Sequence, residues 1–107
     1  MHLSHSEIAQ FKYIGMFHKG FLLYSSNNGI FIVDQHAADE RCRFEQLQSM
    51  NPDMPLESIQ SLACKGAVKL TQDTSTKFKT DLITLLSKCQ NPMICAHGRP
   101  SILYLTN

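Results

Sequence analysis

Short apolar runs alternate with turn residues along the first third of the chain. The runs are YIGMF, FLLYS and IFIV. Gly20 lies in the first connection, and Asn28-Gly29, a strong hairpin signal, lies in the second. Because both connections are short, the pattern predicts three strands in an antiparallel meander.

The spacing of apolar residues becomes helical after the third run. It predicts helices over about 37–50 and 56–70, and a third from the polar cluster TQDTST to about Cys89. The fragment ACKGA falls in the middle of the second helix. Ser4, followed three residues later by Glu7, has the capping-box pattern of a short opening helix.

The last apolar run, SILYL, follows Pro100 and predicts a strand at the sheet edge, because proline cannot donate a ladder hydrogen bond. The expected fold class is therefore α+β. It consists of a small antiparallel sheet, formed by the meander and the returning C-terminal strand, with about three helices packed on it. Residues 1–107 contain no internal repeat or low-complexity linker, so a single domain is expected.

Composition excludes several classes of protein. The formal net charge is +1 and charged residues are 18% of the chain, which is no strong electrostatic signal for nucleic acid. No apolar run approaches the roughly 20 residues that span a bilayer, and the first residues lack the order of a secretion signal. We therefore expect an intracellular protein without membrane association, in which the four cysteines bind metal or are buried rather than disulfide-bonded.

Five residues in three separated fragments are candidate metal ligands. His36 and Glu40 are four apart, so they share one face of a helix. Cys95 and His97 are two apart and point the same way if the segment is extended. Each pair alone is a weak signal, since histidine and glutamate at this spacing usually form a solvated helix face. Together with Cys64 they make a mixed nitrogen, sulfur and oxygen set suited to zinc.

The same fragments resemble the C-terminal domain of the MutL mismatch-repair family. DQHAADERCRFE matches the family's endonuclease motif D-Q-H-A-x-x-E-x-x-x-x-E, LACKGAVKL is similar to its A-C-[RKH] helix, and CAHGRPS is similar to its C-[PA]-H-G-R-P motif. The last fragment resembles the eukaryotic MutL-gamma nuclease subunit more than other members. The resemblance extends from about Tyr13 to Leu105.

The resemblance implies a metal-dependent DNA-nicking endonuclease that acts in mismatch repair or meiotic recombination, with two-metal hydrolysis of a phosphodiester. Glu40 would bridge the two ions. The implied catalytic residues are Asp34, His36 and Glu40; the implied metal ligands are His36, Glu40, Cys64, Cys95 and His97; the implied supporting or phosphate-binding residues are Gln35, Glu45 and Arg99. Glu45 is expected to orient its neighbours or form an ion pair, and Arg99 either to hold phosphate or to fix Asp34 or Glu45.

The resemblance also implies cofactors and partners. One or two Zn2+ ions would be bound, Mn2+ would support nicking, and ATP would act only through an N-terminal half that this chain does not include. The partner would be another MutL-family subunit or a second copy, joined through the exposed sheet. Double-stranded DNA would bind weakly to this chain alone, and a sliding clamp would bind the full protein. Localisation would be nuclear in a eukaryote and cytoplasmic otherwise.

Two departures from the family pattern bear on activity. Only QLQSMNPDMPLESIQSL stands where members carry an inserted regulatory lobe, so the chain is shortened between about 50 and 60. The alternative is therefore a catalytically inactive, zinc-stabilised dimerisation module. Cys42 replaces a residue that is usually aliphatic, and we interpret it as a small buried side chain. Lys65, Lys69, Arg41 and Arg43 are expected to be solvated, or to form a modest phosphate-facing rim.

Overall fold

The computed structural model describes residues 2–106, which form four strands and four helices. In chain order these are α1 His5–Ala9, β1 Lys12–His18, β2 Phe21–Ser26, β3 Gly29–Asp34, α2 Gln35–Met50, α3 Leu56–Gly66, α4 Thr76–Leu86 and β4 Ile102–Thr106. The strands form one antiparallel sheet in the order β1-β2-β3-β4. The predicted α+β fold class is confirmed.

The sheet is a meander to which the C-terminal strand returns. Asn27 and Asn28 turn the chain between β2 and β3, so that Leu23 lies opposite Ile32. On the far side of β3, Ile32 lies opposite Leu103 of β4. The strand after Pro100 is therefore an edge strand, as its proline predicted.

One face of the sheet is buried beneath helices. Tyr24 of β2 and Phe31 of β3 are almost fully buried, and the ring of Phe11 stacks on Phe31 with centroids 4.8 Å apart. Helices α1, α2 and α4 contribute the opposing side chains of this core. They include Ile8, Ala38, Cys42, Leu82, Ile83 and Leu86.

The opposite face, here called the outer sheet face, carries an apolar row made of Leu23, Ile32 and Leu103. Strand alternation places these three side chains away from the core. Leu103 is exposed, whereas Leu23 and Ile32 are half-buried by their neighbours. No helix among the described residues packs on this row.

The expectation that the second helix extends to Leu70 is wrong, because α3 ends at Gly66. Ala67 is extended, with φ −72° and ψ 149°, and the N–H of Val68 is bonded to Asp39 of α2. Glycine is a poor helix former, and this contact takes the backbone away from the helix. ACKGA therefore lies at the end of α3 rather than in its middle.

The third predicted helix begins where expected but ends early. Ser75 of the polar cluster caps α4 by accepting a hydrogen bond from the N–H of Phe78. The helix ends at Leu86, although Cys89 beyond it remains buried in the core. No helix of the described residues is both long and apolar enough to cross a membrane.

Candidate metal centre

The first two candidate ligands project from the start of α2, immediately after β3. Asp34 caps the helix: its Oδ1 atom accepts a hydrogen bond of 3.0 Å from the N–H of Ala37. The helix therefore begins at Gln35, earlier than the apolar pattern predicted. His36 and Glu40 point to the same side, with His36 Nε2 3.5 Å from Glu40 Oε2.

The backbone holds the His36 ring in one orientation. Its Nδ1 atom lies 2.8 Å from the carbonyl oxygen of Val68, and a carbonyl can only accept. Nδ1 therefore donates to this carbonyl and Nε2 faces Glu40; in the neutral ring Nε2 offers its lone pair, an arrangement common to metal-binding histidines. Val68 is itself held by Asp39, whose Oδ2 accepts from the Val68 N–H at 2.9 Å and from Arg43 Nε at 3.1 Å.

Packing of α3 on α2 places the third candidate ligand, Cys64, beside His36. Cys64 lies in the last turn of α3, with its Sγ atom 3.8 Å from His36 Nε2. Burial raises the pKa of the Cys64 thiol, and the Glu40 carboxylate raises it further, against a smaller opposing effect of nearby cations. A bound cation would oppose both effects and favour the thiolate. The contact between the two helices is made by Phe44, Ile59 and Ala63.

The remaining candidate ligands lie in a tight loop over 94–100, here called the ligand loop. The Cys95 N–H donates to the Arg99 carbonyl at 2.7 Å, and Gly98 has a φ of +87° that suits glycine. The Cys95 Sγ atom accepts from the N–H groups of His97 and Arg99, each at 3.3 Å. The segment is not extended, which was the condition under which Cys95 and His97 would point the same way; the chain turns and directs these N–H groups at sulfur. Such donors stabilise a thiolate.

Buried side chains hold the ligand loop against both helices. Arg41 of α2 donates from Nε to the Ile94 carbonyl at 2.9 Å and from Nη2 to the Cys95 carbonyl at 3.2 Å. Gln60 of α3 donates to the Ala96 carbonyl at 3.0 Å. Arg41 was expected at the surface, but its guanidinium is buried because backbone carbonyls satisfy it.

Glu40 lies at the centre of the cluster and is completely buried. Its Oε1 atom is 3.0 Å from His97 Nδ1, whereas Oε2 is buried without a hydrogen-bond partner among the described residues. Burial alone would raise the pKa of Glu40, but contacts with His97, Cys95 and Cys64 outweigh it and lower the pKa. A buried carboxylate that stays ionised, with one oxygen unpartnered, is suited to binding a cation.

The five candidate ligands form two triads that share Glu40. Their ligand atoms lie within 4.8 Å of one another in each triad. Atoms around a tetrahedral zinc are roughly 3.3–3.8 Å apart, and the distances from His36 Nε2 to Glu40 and Cys64, 3.5 and 3.8 Å, lie in this range. Nitrogen, sulfur and carboxylate donors are also the set that zinc prefers. The triads are His36–Glu40–Cys64 and Glu40–Cys95–His97.

Two of the predicted supporting residues act on the backbone. Gln35 is buried and donates from Nε2 to the carbonyls of Lys69 and Gln72, each at 2.8 Å, while its Oε1 atom accepts from Thr74. It thereby holds the segment after α3, which includes the carbonyl that orients His36.

Glu45 lies further along α2. Its carboxylate accepts from the N–H groups of Gln90 and Asn91 at 2.6 and 3.0 Å, and it pairs with Arg41 at 3.4 Å. These contacts hold the approach to the ligand loop, and Glu45 belongs to neither triad.

Arg99 is exposed, and its guanidinium makes no hydrogen bond or ion pair within the part of the chain that the structure describes. Asp34 is occupied as a helix cap and Glu45 by the contacts above, so the structure does not show Arg99 fixing either carboxylate. Phosphate contact is the alternative that stays a prediction. Lys69 is also exposed, and its charge and that of Arg99 both act on Cys64, so the two give this side of the domain positive charge. Lys65 is exposed as well.

Sequence reasoning missed two residues that build the centre. Asp39 holds Val68, and Arg41 holds the ligand loop. Each belongs to an i,i+4 ion pair on α2, with Arg43 and Glu45 respectively. That spacing was visible in the sequence, but it does not reveal which pairs are buried.

Comparison with known proteins defines the class of the chain. Residues 14–87 match the family model of the MutL C-terminal dimerisation domain. The match covers more than half of the chain, which therefore belongs to this family of mismatch-repair proteins.

Individual relatives cover different parts of the chain. The DNA mismatch repair protein MutL of Aquifex pyrophilus is 31% identical over 90 residues, 84% of this chain and 19% of that protein. The human mismatch repair endonuclease PMS2 is 48% identical over 46 residues, 43% of this chain and 5% of that protein. The human DNA mismatch repair protein Mlh3 is 47% identical over 49 residues, 46% of this chain and 3% of that protein. The chain thus spans less than a fifth of the length of these relatives.

Proposed function

We propose that the chain is the metal-dependent DNA-nicking endonuclease domain of a MutL homologue. The observation that carries the proposal is the buried Glu40 carboxylate shared by two ligand triads. Two adjacent cations bridged by one carboxylate are the usual arrangement for hydrolysis of a phosphodiester. The printed name of the similar human PMS2, a mismatch repair endonuclease, supports the same reaction.

The residues of the chain would supply positioning and charge. When bound, the ions would activate a water molecule and neutralise charge on the phosphate. Glu40 would hold both ions, His36 would be fixed by the Val68 carbonyl, and Cys95 by two backbone N–H groups. Arg99, exposed at the ligand loop, is free to contact a DNA phosphate.

The ion that remains bound and the ion that supports nicking are proposed to differ. Two cysteines and two histidines favour tightly held zinc. Manganese is a harder ion that binds less tightly to thiolates, so it would have to exchange into the centre or bind beside it for cleavage. Metal content and activity are therefore separate measurements.

The outer sheet face is the proposed dimerisation surface. Its row of Leu23, Ile32 and Leu103 is apolar and, among the described residues, lies beneath no helix. The partner would be another MutL-family subunit or a second copy of this chain, in agreement with the family description. Because the net charge is only +1, DNA binding would also depend on the partner and on the remainder of a full-length protein, which would contribute an ATPase half and a clamp contact.

The second candidate function is a zinc-stabilised dimerisation module without nuclease activity. Burial of Cys95 and Glu40 favours it, since a structural zinc site is closed whereas a catalytic one keeps a position open to substrate. In this case the metal would only tie α2 to α3 and the ligand loop.

Nicking of supercoiled plasmid in the presence of Mn2+ separates the two functions. The parent, Asp34→Asn and Glu40→Gln would be assayed alone and with a second MutL-family subunit. Asparagine retains the helix cap and glutamine retains the volume at a fully buried position, so both variants should fold. We expect both to abolish nicking and to leave dimerisation intact.

Glu57→Gln is the matched control, because Glu57 is an exposed glutamate of α3 outside both triads. It should nick at the parental rate. If Asp34→Asn and Glu40→Gln nick as fast as the control, the nuclease assignment is wrong. If the parent binds zinc and dimerises but does not nick, either alone or with a second MutL-family subunit, the second candidate function, a dimerisation module without nuclease activity, is correct.

A further inference from the structure

Two cysteines that belong to neither metal triad face each other in the core. The Sγ atoms of Cys42 and Cys89 are 3.9 Å apart, although 47 residues separate them along the chain. Cys42 follows Glu40 by two residues, which places it about 200° around α2 and on the side away from the triads. The pair is therefore separate from the candidate metal centre.

The pair lies beside an open groove between the second half of α2 and the end of α4. The groove has a volume of about 380 Å³, and Cys42 and Cys89 are among its lining residues. Each cysteine is only about 5% exposed, so a small reagent would have to approach the sulfurs through this groove. The other lining residues include Gln46, Met50, Leu85 and Lys88.

The surrounding contacts hold Cys89 close to α2 without enclosing it in a helix. Cys89 lies three residues beyond Leu86, the last residue of α4, and its N–H donates to the Leu86 carbonyl at 3.1 Å. The next two residues, Gln90 and Asn91, are bonded to Glu45 of α2. Forming a sulfur–sulfur bond of about 2 Å requires the sulfur atoms to approach by roughly a further 2 Å. Cys89 lies in the bend after α4 rather than within a helix, so Cys89 would make this movement.

We propose that Cys42 and Cys89 are a redox modification site, which forms a reversible intramolecular disulfide by exchange with a small disulfide such as oxidised glutathione. One cysteine thiolate attacks a sulfur of oxidised glutathione and releases one glutathione. The second cysteine then attacks the mixed disulfide and releases the other. Two cysteine thiols are oxidised, one glutathione disulfide is reduced to two thiols, and the two protons remain with the released glutathione.

The new bond would join the two segments that carry the metal ligands. Cys42 is on the helix of His36 and Glu40, whereas Cys89 precedes the ligand loop with Cys95 and His97. A link between them restricts the separation of these segments. It does so without using a ligand sulfur, so the inference is independent of the nuclease proposal.

The experiment exposes the zinc-loaded chain to oxidised glutathione and follows its intact mass without reducing agent. We expect the loss of two hydrogen atoms, a linked peptide containing Cys42 and Cys89 after digestion, retention of zinc, and full reversal by dithiothreitol. Cys42→Ala and Cys89→Ala should each abolish the linked peptide. Ser49→Ala, which changes another residue of the same groove, should form it normally.

Peptide mapping of the parent keeps the proposal testable even if an alanine variant fails to fold. A linked peptide that contains Cys64 or Cys95 instead would overturn it. Formation of the Cys42–Cys89 link only after addition of urea would also overturn it, because the two thiols would then be inert core residues.

Discussion

If the two triads bind the proposed ions, replacing Glu40 with alanine should prevent binding of both and remove most of the stability that zinc would confer. Among the described residues Glu40 alone belongs to both triads, so its loss leaves each with two ligands. The same change should also destabilise the metal-free chain, because it removes the contact with His97, worth about 1–3 kcal/mol, and leaves a cavity at a fully buried position. The effect of zinc is therefore measured for each variant against its own metal-free form.

The magnitude follows from linkage between binding and folding. Zinc held at about 1,000 times its dissociation constant stabilises a folded protein by about 4 kcal/mol per site. For a chain of 107 residues, each kcal/mol corresponds to about 4–5 °C in Tm. The parent should therefore gain on the order of 15 °C from one ion and more from two, whereas Glu40→Ala should gain almost nothing.

Thermal unfolding followed by circular dichroism, with and without zinc, measures this difference. Elemental analysis after exhaustive dialysis gives the ions bound per chain. Glu57→Ala removes an exposed carboxylate of α3 and should retain the parental zinc shift. If Glu40→Ala binds as much zinc as the parent and shows the same shift, the carboxylate is no bridge. A single ion unaffected by the substitution would indicate a structural site built from the remaining ligands.

Three further changes test the support of the centre, the outer sheet face and the core. Gln35→Ala should lower the free energy of unfolding by about 1–3 kcal/mol in chemical denaturation and zinc affinity by about tenfold in a chelator competition, because it releases the segment that orients His36. Ile32→Arg should shift the chain or its complex towards monomer in light scattering, since it places a charge in the apolar row. Tyr24→Phe removes a 2.7 Å hydrogen bond to the Lys79 carbonyl and should cost about 1 kcal/mol at neutral pH. Burial raises the pKa of Tyr24, so above pH 10.0 unfolding of the parent releases a proton from this tyrosine. The free energy of unfolding of the parent therefore falls as the pH rises, and its advantage over Tyr24→Phe shrinks.

Each of these changes has a matched control. Gln48→Ala alters an exposed glutamine of α2 and should affect neither stability nor zinc affinity. Leu62→Arg places the same charge at an exposed apolar position of α3 and should leave association unchanged. If Ile32→Arg and Leu62→Arg weaken association equally, the outer sheet face is not the dimerisation surface. Tyr104→Phe alters an exposed tyrosine. If it follows the same pH profile as Tyr24→Phe, the alkaline effect does not come from Tyr24.

Local pattern was sufficient to predict most of the fold. The apolar runs and short turns predicted the meander. The start of α2 was predicted two residues late, because the apolar pattern did not include Asp34, which caps the helix. The spacing of His36 and Glu40 likewise guaranteed a common face once the helix formed. These are interactions between residues a few positions apart, and the sequence displays them directly.

The C-terminal end of α3 and the burial of Arg41 depended on residues far along the chain. The N–H of Val68 donates to Asp39 instead of continuing the helix. The guanidinium of Arg41 is buried because it donates to carbonyls of the ligand loop. Helical spacing continues through Ala67 and shows nothing of this competition, since those partners lie 29 or more residues away.

The sequence by itself determined which chemical groups are available: two histidines, two cysteines and a carboxylate in three fragments. Only the tertiary structure decided that Glu40 meets ligands from α3 and from the ligand loop, and that one of its oxygens is buried without a hydrogen-bond partner among residues 2–106. The physical reason is that a ligand geometry is set by distances of 3–4 Å between segments, and such distances arise from packing of α3 and the loop on α2 rather than from spacing along the chain.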